Sequence, residues 1–230
     1  MKSVSESHNK IRLDRLKSLQ ERLRSRYQLG ESKFSIGKES ILIQHVLDSY
    51  ALLDDAEEDS IPYWAEVWPS AVALAGALQE RRDLMGKRCL ELGAGLGLAS
   101  CMAALKGAEV TASDYLLEPL EFAQLNALLN RTEIDVRLVN WLEPFEGDER
   151  FEIVLAADVL YSHSNIEPVA RFLPTILEDG ATVLLADPRR NHLPRFIELM
   201  HSAGFQAMRS ERTVAFQGRD VLVDVYVISR

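Results

Sequence analysis

A glycine-rich loop and a following aspartate are the residues of this chain whose types and spacing could carry out chemistry. Residues 90–97 read Leu-Glu-Leu-Gly-Ala-Gly-Leu-Gly, and Asp114 closes the next apolar run. A strand that ends in a glycine loop lets a ligand lie against bare backbone, and a carboxylate at the end of the neighbouring strand accepts hydrogen bonds from two sugar hydroxyls. Together these features predict a nucleoside-binding edge of an α/β sheet.

The spacing of the glycines distinguishes two classes of ligand. Gly93, Gly95 and Gly97 follow a G-x-G-x-G pattern, whereas a dinucleotide site uses G-x-G-x-x-G to place a pyrophosphate at a helix N-terminus. Glu91 precedes the loop, and an acidic residue there suits a ligand with a cationic end better than a ligand with phosphates. The amino group and the sulfonium of S-adenosylmethionine fit that description.

The elements that position this loop belong to a chain of ordinary globular composition. Its 230 residues are 47% hydrophobic and 27% charged, which is enough for one domain with a full core. No apolar run has the length of a membrane span and no secretory signal peptide is evident, so we expect a cytoplasmic protein. Cys89 and Cys101 lack metal-ligand spacing, and we expect buried thiols in a reducing compartment.

Charge is unevenly distributed along the chain. The net charge of −9 argues against a general nucleic-acid binder. Residues 1–30 contain eight Lys or Arg and three Asp or Glu, so they carry about +5 and the remainder about −14. Leu16, Leu19, Leu23 and Tyr27 recur at helical spacing, which predicts a basic amphipathic helix packed loosely on the domain. Two alternatives remain for this segment: it could contact an acidic protein or RNA, or it could be a mitochondrial-type presequence.

Strands alternate with helices downstream of this segment. We predict strands at residues 88–92, 109–113, 136–139, 152–157 and 182–186, with a terminal antiparallel hairpin around residues 217–220. This order implies parallel pairing with right-handed crossovers, hence a mostly parallel, Rossmann-like α/β sheet with helices on both faces. The predicted organisation is a basic N-terminal helix at residues 1–30, a hairpin, an acidic loop (54–60) and a Trp-containing segment within residues 31–69, and the α/β domain at residues 70–230.

Polar and aromatic residues follow the ends of all five predicted parallel strands. They are Gly93, Asp114, Trp141, Asp158 and Asp187. Because ligands of such sheets bind beyond the carboxyl ends of the strands, we expect these residues to share one edge.

These motifs resemble a known enzyme superfamily. Residues 90–97, Asp114, Trp141 and the Asp158-x-x-Tyr161 segment resemble the seven-strand class I S-adenosylmethionine-dependent methyltransferases. More narrowly, the Tyr-Trp to Trp-Pro segment at residues 63–69 and the Asp-x-x-Tyr motif resemble methyltransferase family 16, which consists mostly of protein-lysine methyltransferases. The resemblance implies a seven-stranded sheet, S-adenosylmethionine as cofactor and a protein lysine as acceptor. We expect a monomer.

The resemblance also implies roles for individual residues. Gly93, Ala94 and Gly95 would lie against the methionine part of the cofactor, with Glu91 organising the loop. The remaining cofactor-binding residues would be Asp114 at the ribose, Trp141 at the adenine, Trp68 on the N-terminal side and Ala157 below the cofactor. Asp158 and Tyr161 would be catalytic, orienting the acceptor nitrogen, while Tyr63 and Trp64 could add aromatic faces toward a cation.

Several alternatives stay open from the sequence alone. The acceptor could be a small amine or an RNA base, the fold could belong to a catalytically silent binding protein, or the chain could be a small NAD-dependent oxidoreductase. His163 is expected to be a surface residue. The Asp-Pro-Arg-Arg run at residues 187–190 lacks the aromatic residue of base-amino methyltransferase motifs and follows the fifth predicted strand rather than the fourth. For Arg189 and Arg190 we predict a solvated turn, with contact to an acidic partner as the alternative.

Overall fold

The structure is a computed structural model that describes residues 2–49, 52 and 62–230, with side chains described from residue 9 onward. The predicted acidic loop at residues 54–60 lies outside the described residues. The strands are β1 (Leu29–Ile36), β2 (Glu39–Val46), β3 (Arg88–Leu92), β4 (Glu109–Asp114), β5 (Asp135–Leu138), β6 (Phe151–Ala157), β7 (Leu177–Asp187), β8 (Gln206–Phe216) and β9 (Arg219–Ser229). The helices are α1 (Lys2–Arg24), α2 (Pro69–Glu80), α3 (Leu98–Leu105), α4 (Leu117–Leu129), α5 (Ile166–Ile176) and α6 (Leu193–Ser202).

Seven of the described strands form one sheet in the order β5-β4-β3-β6-β7-β9-β8. The strands from β3 to β7 pair in parallel, and β9 runs antiparallel to both β7 and β8. The predicted mostly parallel sheet with a C-terminal antiparallel hairpin is therefore confirmed. The chain runs outward from β3 to β5 and then continues on the other side of β3 with β6. Open α/β sheets bind ligands at the carboxyl ends of the strands beside such a switch.

The central strands are buried on both faces. Side chains of a strand alternate between the two faces of its sheet. In β6, Ile153 and Leu155 join the core shared with α2, α3 and α4, whereas Val154 and Ala156 join the core shared with α5 and α6. Burial on both faces explains why this strand reads as a continuous apolar run in the sequence.

The N-terminal helix packs more closely than predicted. Leu19 and Leu23 of α1 are buried, and Arg22, with Arg26 just beyond the helix, pairs with Glu121 of α4. The prediction of a loosely packed helix is therefore wrong for the C-terminal half of α1. None of the helices in the part of the chain that the structure describes is long and apolar enough to cross a membrane.

The strands β1 and β2 form a separate antiparallel hairpin whose second strand lies against α4. Asn126 of α4 and Asn130, the residue that follows the last residue of α4, bond the backbone N–H and C=O groups of Gln44 and Leu42, respectively. The edge of β2 is thus satisfied by side-chain amides in place of a third strand. This arrangement attaches the hairpin firmly to the α/β domain.

The boundary between α5 and β7 differs from the prediction. The strand begins at Leu177, five residues earlier than expected, and its register shifts between the pairs Phe151–Leu177 and Ile153–Thr182. Such an irregular extension contains extra unpaired residues, which period-two patterning does not reveal. Pro174 in the last turn of α5 is consistent with the helix ending at Ile176.

Candidate active site

A cleft at the carboxyl ends of the central strands contains the predicted site residues. The cleft is partly open to solvent and is lined by apolar and aromatic side chains with a few polar groups, as is typical of small-molecule sites. The predicted residues that line the cleft are Trp68, Glu91, Gly93, Ala94, Gly95, Asp114, Trp141, Ala157, Asp158 and Tyr161. The structure therefore brings together residues from separate strand ends, as expected from a parallel sheet.

Glu91 fixes the glycine loop to the helix that follows it. Its Oε2 atom accepts a 2.8 Å hydrogen bond from the backbone N–H of Ser100 and a second hydrogen bond from the Ser100 hydroxyl. Ser100 lies in the first turn of α3, whose N–H groups have no partner within the helix. Burial raises the pKa of Glu91 to about 7, although the hydrogen bonds from Ser100 oppose this rise. The carboxylate caps α3 beneath the loop.

Two glycines of the loop are required by close approach of other groups. A Cβ atom at Gly97 would lie 2.8 Å from the Cβ of Ala123 in α4, and a Cβ atom at Gly93 would lie 3.2 Å from Cγ1 of Val159 and 3.6 Å from the ring of Trp141. Both glycines have positive φ, +77° and +61°, a conformation that other residues rarely adopt. Bare backbone therefore faces the cleft at this point.

Asp114 occupies the end of β4 and is almost fully buried. Its Oδ2 accepts a 3.2 Å hydrogen bond from the N–H of Gly95, and its Oδ1 accepts a 2.8 Å hydrogen bond from the N–H of Tyr115. Burial raises the pKa of Asp114 to about 6, and these N–H groups oppose the rise. A carboxylate has about four acceptor positions, so capacity remains for hydroxyl donors.

The two tryptophans predicted at the cofactor site are both half-buried in the lining of the cleft. Trp141 lies in the turn after β5 and its ring borders Gly93. Trp68 lies directly before α2, and its indole N–H donates a 2.7 Å hydrogen bond to the carbonyl oxygen of Tyr63. This hydrogen bond links the ring of Trp68 to the segment that precedes it.

Asp158 follows β6 with its backbone in the left-handed region, at φ +58°. Its N–H donates a 2.9 Å hydrogen bond to the carbonyl oxygen of Ala186 in β7. Ser162, not Asp158, caps the following 3-10 turn, so the carboxylate of Asp158 has no capping duty. Burial raises the pKa of Asp158, and the positive charge of Arg190 opposes this rise.

The segment that carries Tyr161 is held from two sides. The side-chain amide of Asn165 donates a 3.1 Å hydrogen bond to the carbonyl oxygen of Val159, and Nε2 of His192 contacts the carbonyl oxygen of Leu160. These contacts position the short loop between β6 and α5 over the cleft. His163, two residues beyond Tyr161, is exposed as predicted.

An aromatic group lies at the mouth of the cleft. The ring centroids of Tyr63 and Tyr161 are 5.5 Å apart, those of Tyr63 and Trp68 are 6.2 Å apart, and both tyrosines are exposed. Trp64 also lines the cleft, and its half-buried ring packs against Tyr27 and Phe122. Tyr63 and Tyr161 are therefore better placed than Trp64 to present aromatic faces at the mouth.

Arg190 is a charged lining residue that sequence reasoning did not assign to the site. The predicted solvated turn is wrong for Arg190, which is half-buried and pairs with Asp158 inside the cleft. Arg189 is exposed, and it pairs with the acidic residues Asp224 and Glu211 of the same chain. The available signal was position: the run directly follows β7, whose carboxyl end neighbours that of β6. Because Arg190 follows β7 and Asp158 follows the neighbouring parallel strand β6, the sequence could have predicted that these two residues pair.

Comparison with known proteins gives this cleft a context. A family model described as lysine methyltransferase matches residues 51–203, a range that includes the glycine loop, Asp114 and the Asp158-x-x-Tyr161 segment. The chain belongs to the lysine methyltransferase family. Membership of the lysine methyltransferase family confirms the resemblance drawn from the motifs and argues against the NAD-dependent oxidoreductase alternative.

Individual members of the lysine methyltransferase family match part of the chain. Protein N-lysine methyltransferase METTL21A of Xenopus tropicalis is 30% identical over 143 residues, which cover 59% of this chain and 66% of that protein. Protein-lysine methyltransferase METTL21E of Bos taurus is 37% identical over 135 residues, covering 53% of this chain and 46% of that protein. The chain thus spans about half to two thirds of the length of these curated relatives.

Solved methyltransferase structures share the fold with this member of the lysine methyltransferase family. A 16S rRNA methyltransferase of T. thermophilus, in complex with AdoMet and guanosine, superposes with a TM-score of 0.62 at 18% identity, covering 88% of this chain and 50% of that chain. Magnesium protoporphyrin IX methyltransferase of Synechocystis, with bound SAM, gives 0.56 at 14% identity, covering 79% and 98%. At this level of identity the likeness concerns the fold alone.

Proposed function

We propose that this protein is an S-adenosylmethionine-dependent N-methyltransferase that acts on a lysine side chain of a protein. The observation that carries the proposal is the placement of Asp158 and Tyr161 in the same cleft as the glycine loop and Asp114. The glycine loop and Asp114 suit a nucleoside with a cationic end, whereas Asp158 and Tyr161 suit an amine. Relatives named as protein N-lysine methyltransferases support the choice of acceptor.

The lining fits this cofactor at both of its ends. The buried carboxylate of Asp114 has acceptor capacity for ribose hydroxyls, and bare backbone at Gly93 and Gly95 leaves space for the methionine part. Trp141 would flank the adenine and Trp68 would cover the N-terminal side. The other residues that would hold the cofactor are Glu91, through its support of the loop, Ala94 and Ala157.

The reaction needs an aligned and unprotonated nitrogen. When bound, S-adenosylmethionine supplies a methyl group on a positively charged sulfur. The acceptor nitrogen uses its lone pair to form the new N–C bond as the C–S bond breaks, and the positive charge passes from sulfur to nitrogen. Because the protein has little covalent work to do, alignment and electrostatics dominate catalysis.

Asp158 and Tyr161 would supply that alignment. A lysine amine has an ordinary pKa of about 10.4, and an apolar cleft favours its neutral form. The carboxylate of Asp158 would accept a hydrogen bond from the amine and stabilise the ammonium that develops. Tyr161 and Tyr63, whose rings are 5.5 Å apart at the mouth, would present aromatic faces to the cation.

The basic N-terminal segment gives less support to an RNA acceptor than its composition suggests. Arg12 donates a hydrogen bond to the carbonyl oxygen of Leu128 in α4, and Arg22 and Arg26 pair with Glu121. Some of the basic side chains are therefore already engaged in hydrogen bonds and ion pairs within the fold. A protein acceptor remains the better proposal.

We further propose a cytoplasmic monomer. Cys89 and Cys101 are both free and buried, as expected of thiols that are kept reduced. Size-exclusion chromatography with light scattering tests the oligomeric state, with an expected mass near 25.9 kDa. A stable dimer at micromolar concentration would contradict this part of the proposal.

Incubation of the protein with methyl-labelled S-adenosylmethionine and a cell extract tests the activity. We expect label in protein, released as methyl-lysine after acid hydrolysis, and we expect the Asp158→Ala variant to lose about 10²-fold or more of the rate while retaining cofactor binding. Label found only in RNA or in small amines would overturn the lysine acceptor. A protein that does not bind S-adenosylmethionine in calorimetry would overturn the enzyme assignment itself.

A further inference from the structure

Asp158 and Arg190 form an unusual one-sided ion pair within the cleft. Arg190 places two nitrogens against a single oxygen: Nε donates a 2.8 Å hydrogen bond to Oδ1 of Asp158, and Nη2 lies 2.6 Å from the same oxygen. The side chain of Asp158 is only 8% exposed, whereas that of Arg190 is 32% exposed. An arginine fork and a carboxylate often bond in parallel through both oxygens, and this pair does not. Both residues line the cleft, so Oδ2 is left without this partner inside the candidate site.

Both members of the pair are held by the same end of β7. The N–H of Asp158 bonds the carbonyl oxygen of Ala186 at 2.9 Å, and the N–H of Arg190 bonds Oδ1 of Asp187 at 2.7 Å. Asp158 and Arg189 both adopt left-handed backbone conformations, at φ +58° and +65°. Such conformations are uncommon outside glycine and persist where the surroundings impose them, often at functional sites. The two turns are shaped so that the carboxylate and the guanidinium meet.

We infer that Arg190 is a positioning residue for methyl transfer: it holds Asp158 by one oxygen so that the other oxygen is free to receive the acceptor nitrogen. This inference rests on the proposed function and adds to it a residue that acts through Asp158. Arg190 fixes the direction of the carboxylate and keeps its charge inside a largely buried site. The arginine itself is not required to touch the acceptor.

The charges around Asp158 explain why such a partner is needed. Burial raises the pKa of Asp158, and Arg190 is the positive group that opposes it. Asp187 at the end of β7 is a neighbouring carboxyl, and Glu91 and Asp114 line the same cleft. The other titratable groups facing the cleft are the phenols of Tyr63, Tyr115 and Tyr161, with Glu66 near the mouth. Without Arg190 these surroundings favour a protonated Asp158, which attracts a cation poorly.

An opposite role for Arg190 gives opposite results. If the guanidinium merely occupied the place of the acceptor cation, its removal would open the site. The KM for the acceptor would then fall and kcat would stay or rise. If Arg190 positions Asp158, its removal lowers kcat. The two roles therefore differ in the sign of the effect.

The test compares Arg190→Gln and Arg190→Lys with Arg189→Gln as the matched control. Arg189 lies in the same turn and pairs with Asp224 and Glu211 outside the cleft. We expect Arg190→Gln to lower kcat toward cell-extract protein by about tenfold or more, to leave the Kd for S-adenosylmethionine unchanged, and to move the acidic limb of the pH profile to higher pH. Arg190→Lys, which keeps the charge, should restore the pH profile and part of kcat. Arg189→Gln should match the wild-type protein.

A second measurement is independent of turnover. Carbon-13 NMR titration of the Asp158 carboxyl, assigned with Asp158→Asn, should show titration at higher pH in Arg190→Gln than in the wild-type protein or Arg189→Gln. Identical Asp158 titrations, or a lower KM with an unchanged kcat, would overturn the positioning role. A wild-type protein that binds the cofactor but labels no protein would instead overturn the proposed function on which the inference rests.

Discussion

The side-chain amide of Asn126 donates a 2.9 Å hydrogen bond to the carbonyl oxygen of Leu96, within the glycine loop of the cleft. The same buried side chain bonds both backbone groups of Gln44 in β2, at 2.8 and 3.1 Å. One residue of α4 therefore connects the N-terminal hairpin to the proposed cofactor loop. Asn130 makes the equivalent contacts with Leu42, and among the described residues it makes none with the loop.

Replacement of Asn126 should affect both stability and cofactor binding. Asn126→Ala removes three hydrogen bonds in a buried setting, and we expect the free energy of unfolding to fall by about 2–3 kcal/mol. We also expect weaker S-adenosylmethionine binding, because Leu96 loses its anchor. Asn130→Ala is the matched control: it should destabilise the hairpin contact and keep the cofactor affinity. Denaturant unfolding and calorimetric titration make the comparison, and equal cofactor affinities in the two variants would contradict the connection.

The proposed ribose carboxylate should make cofactor binding depend on pH. The pKa of Asp114 is raised to about 6, and the ionised form is the stronger acceptor for hydroxyl donors, so the affinity of the wild-type protein should fall as the pH falls through 6. Asp114→Asn should weaken binding at pH 8 by about tenfold or more and lose this component of the pH dependence. Calorimetric titrations between pH 5 and pH 8 test both points. The Asp158→Asn variant, measured in parallel, should retain the wild-type affinity.

Glu91 should make the stability of the folded protein depend on pH in the opposite sense to an ordinary ion-paired carboxylate. Its pKa is raised from 4.5 to about 7 by burial, so between these values the folded state binds the proton more tightly than the unfolded state. The free energy of unfolding should therefore decrease as the pH rises from 4.5 to 7, by up to about 3 kcal/mol. Glu91→Gln retains an acceptor for Ser100 without the charge, and it should flatten this decline. An identical pH dependence of urea unfolding in the two proteins would refute the assignment.

Alanine substitutions at Gly97 and Gly180 should distinguish the effect of steric crowding on stability from the effect of backbone conformation. Both have positive φ, +77° and +75°, but a Cβ atom would lie 2.8 Å from Ala123 at Gly97 and would meet nothing within 4 Å at Gly180. Gly180→Ala should destabilise the protein by about 1 kcal/mol from backbone strain alone. Gly97→Ala should destabilise it by a further 1–3 kcal/mol, roughly, because α3 and α4 must separate. Thermal unfolding of the two variants gives the difference, and equal melting temperatures would contradict the packing explanation.

Much of the sheet could be predicted because its strands and helices can be recognised from the pattern of neighbouring residues. Strands buried on both faces give continuous apolar runs, and helices between them enforce parallel pairing. Parallel strands place their carboxyl ends at one edge, so Asp114, Trp141 and Asp158 could be assigned to a common site before the fold was known. The glycine loop could be found from the spacing of its glycines alone, and the structure shows the close approaches that require residues without a side chain.

Other features depend on tertiary contacts that the sequence pattern does not encode. Asn126 and Asn130 look like ordinary polar positions of a helix, yet they serve as the neighbour of a strand edge. Arg190 belongs to a run that resembles a solvated turn, and its partner is 32 residues away in the sequence. Trp64 lies in a motif that suggests a ligand contact, and it does line the cleft, but its packing against Tyr27 and Phe122 was not evident from the sequence. In each case the decisive neighbour comes from a distant part of the chain.

The strand order also separates the residues proposed to hold the cofactor from those proposed to act on the acceptor. Residues proposed to hold the cofactor come chiefly from β3, β4 and β5 on one side of the sheet centre, whereas Asp158 and Arg190 follow β6 and β7 on the other side. If the proposed function holds, changes in the loops after β6 and β7 would alter which nitrogen is accepted while the nucleoside half stays intact. A scaffold partitioned in this way can diversify its targets during evolution without rebuilding its methyl donor site.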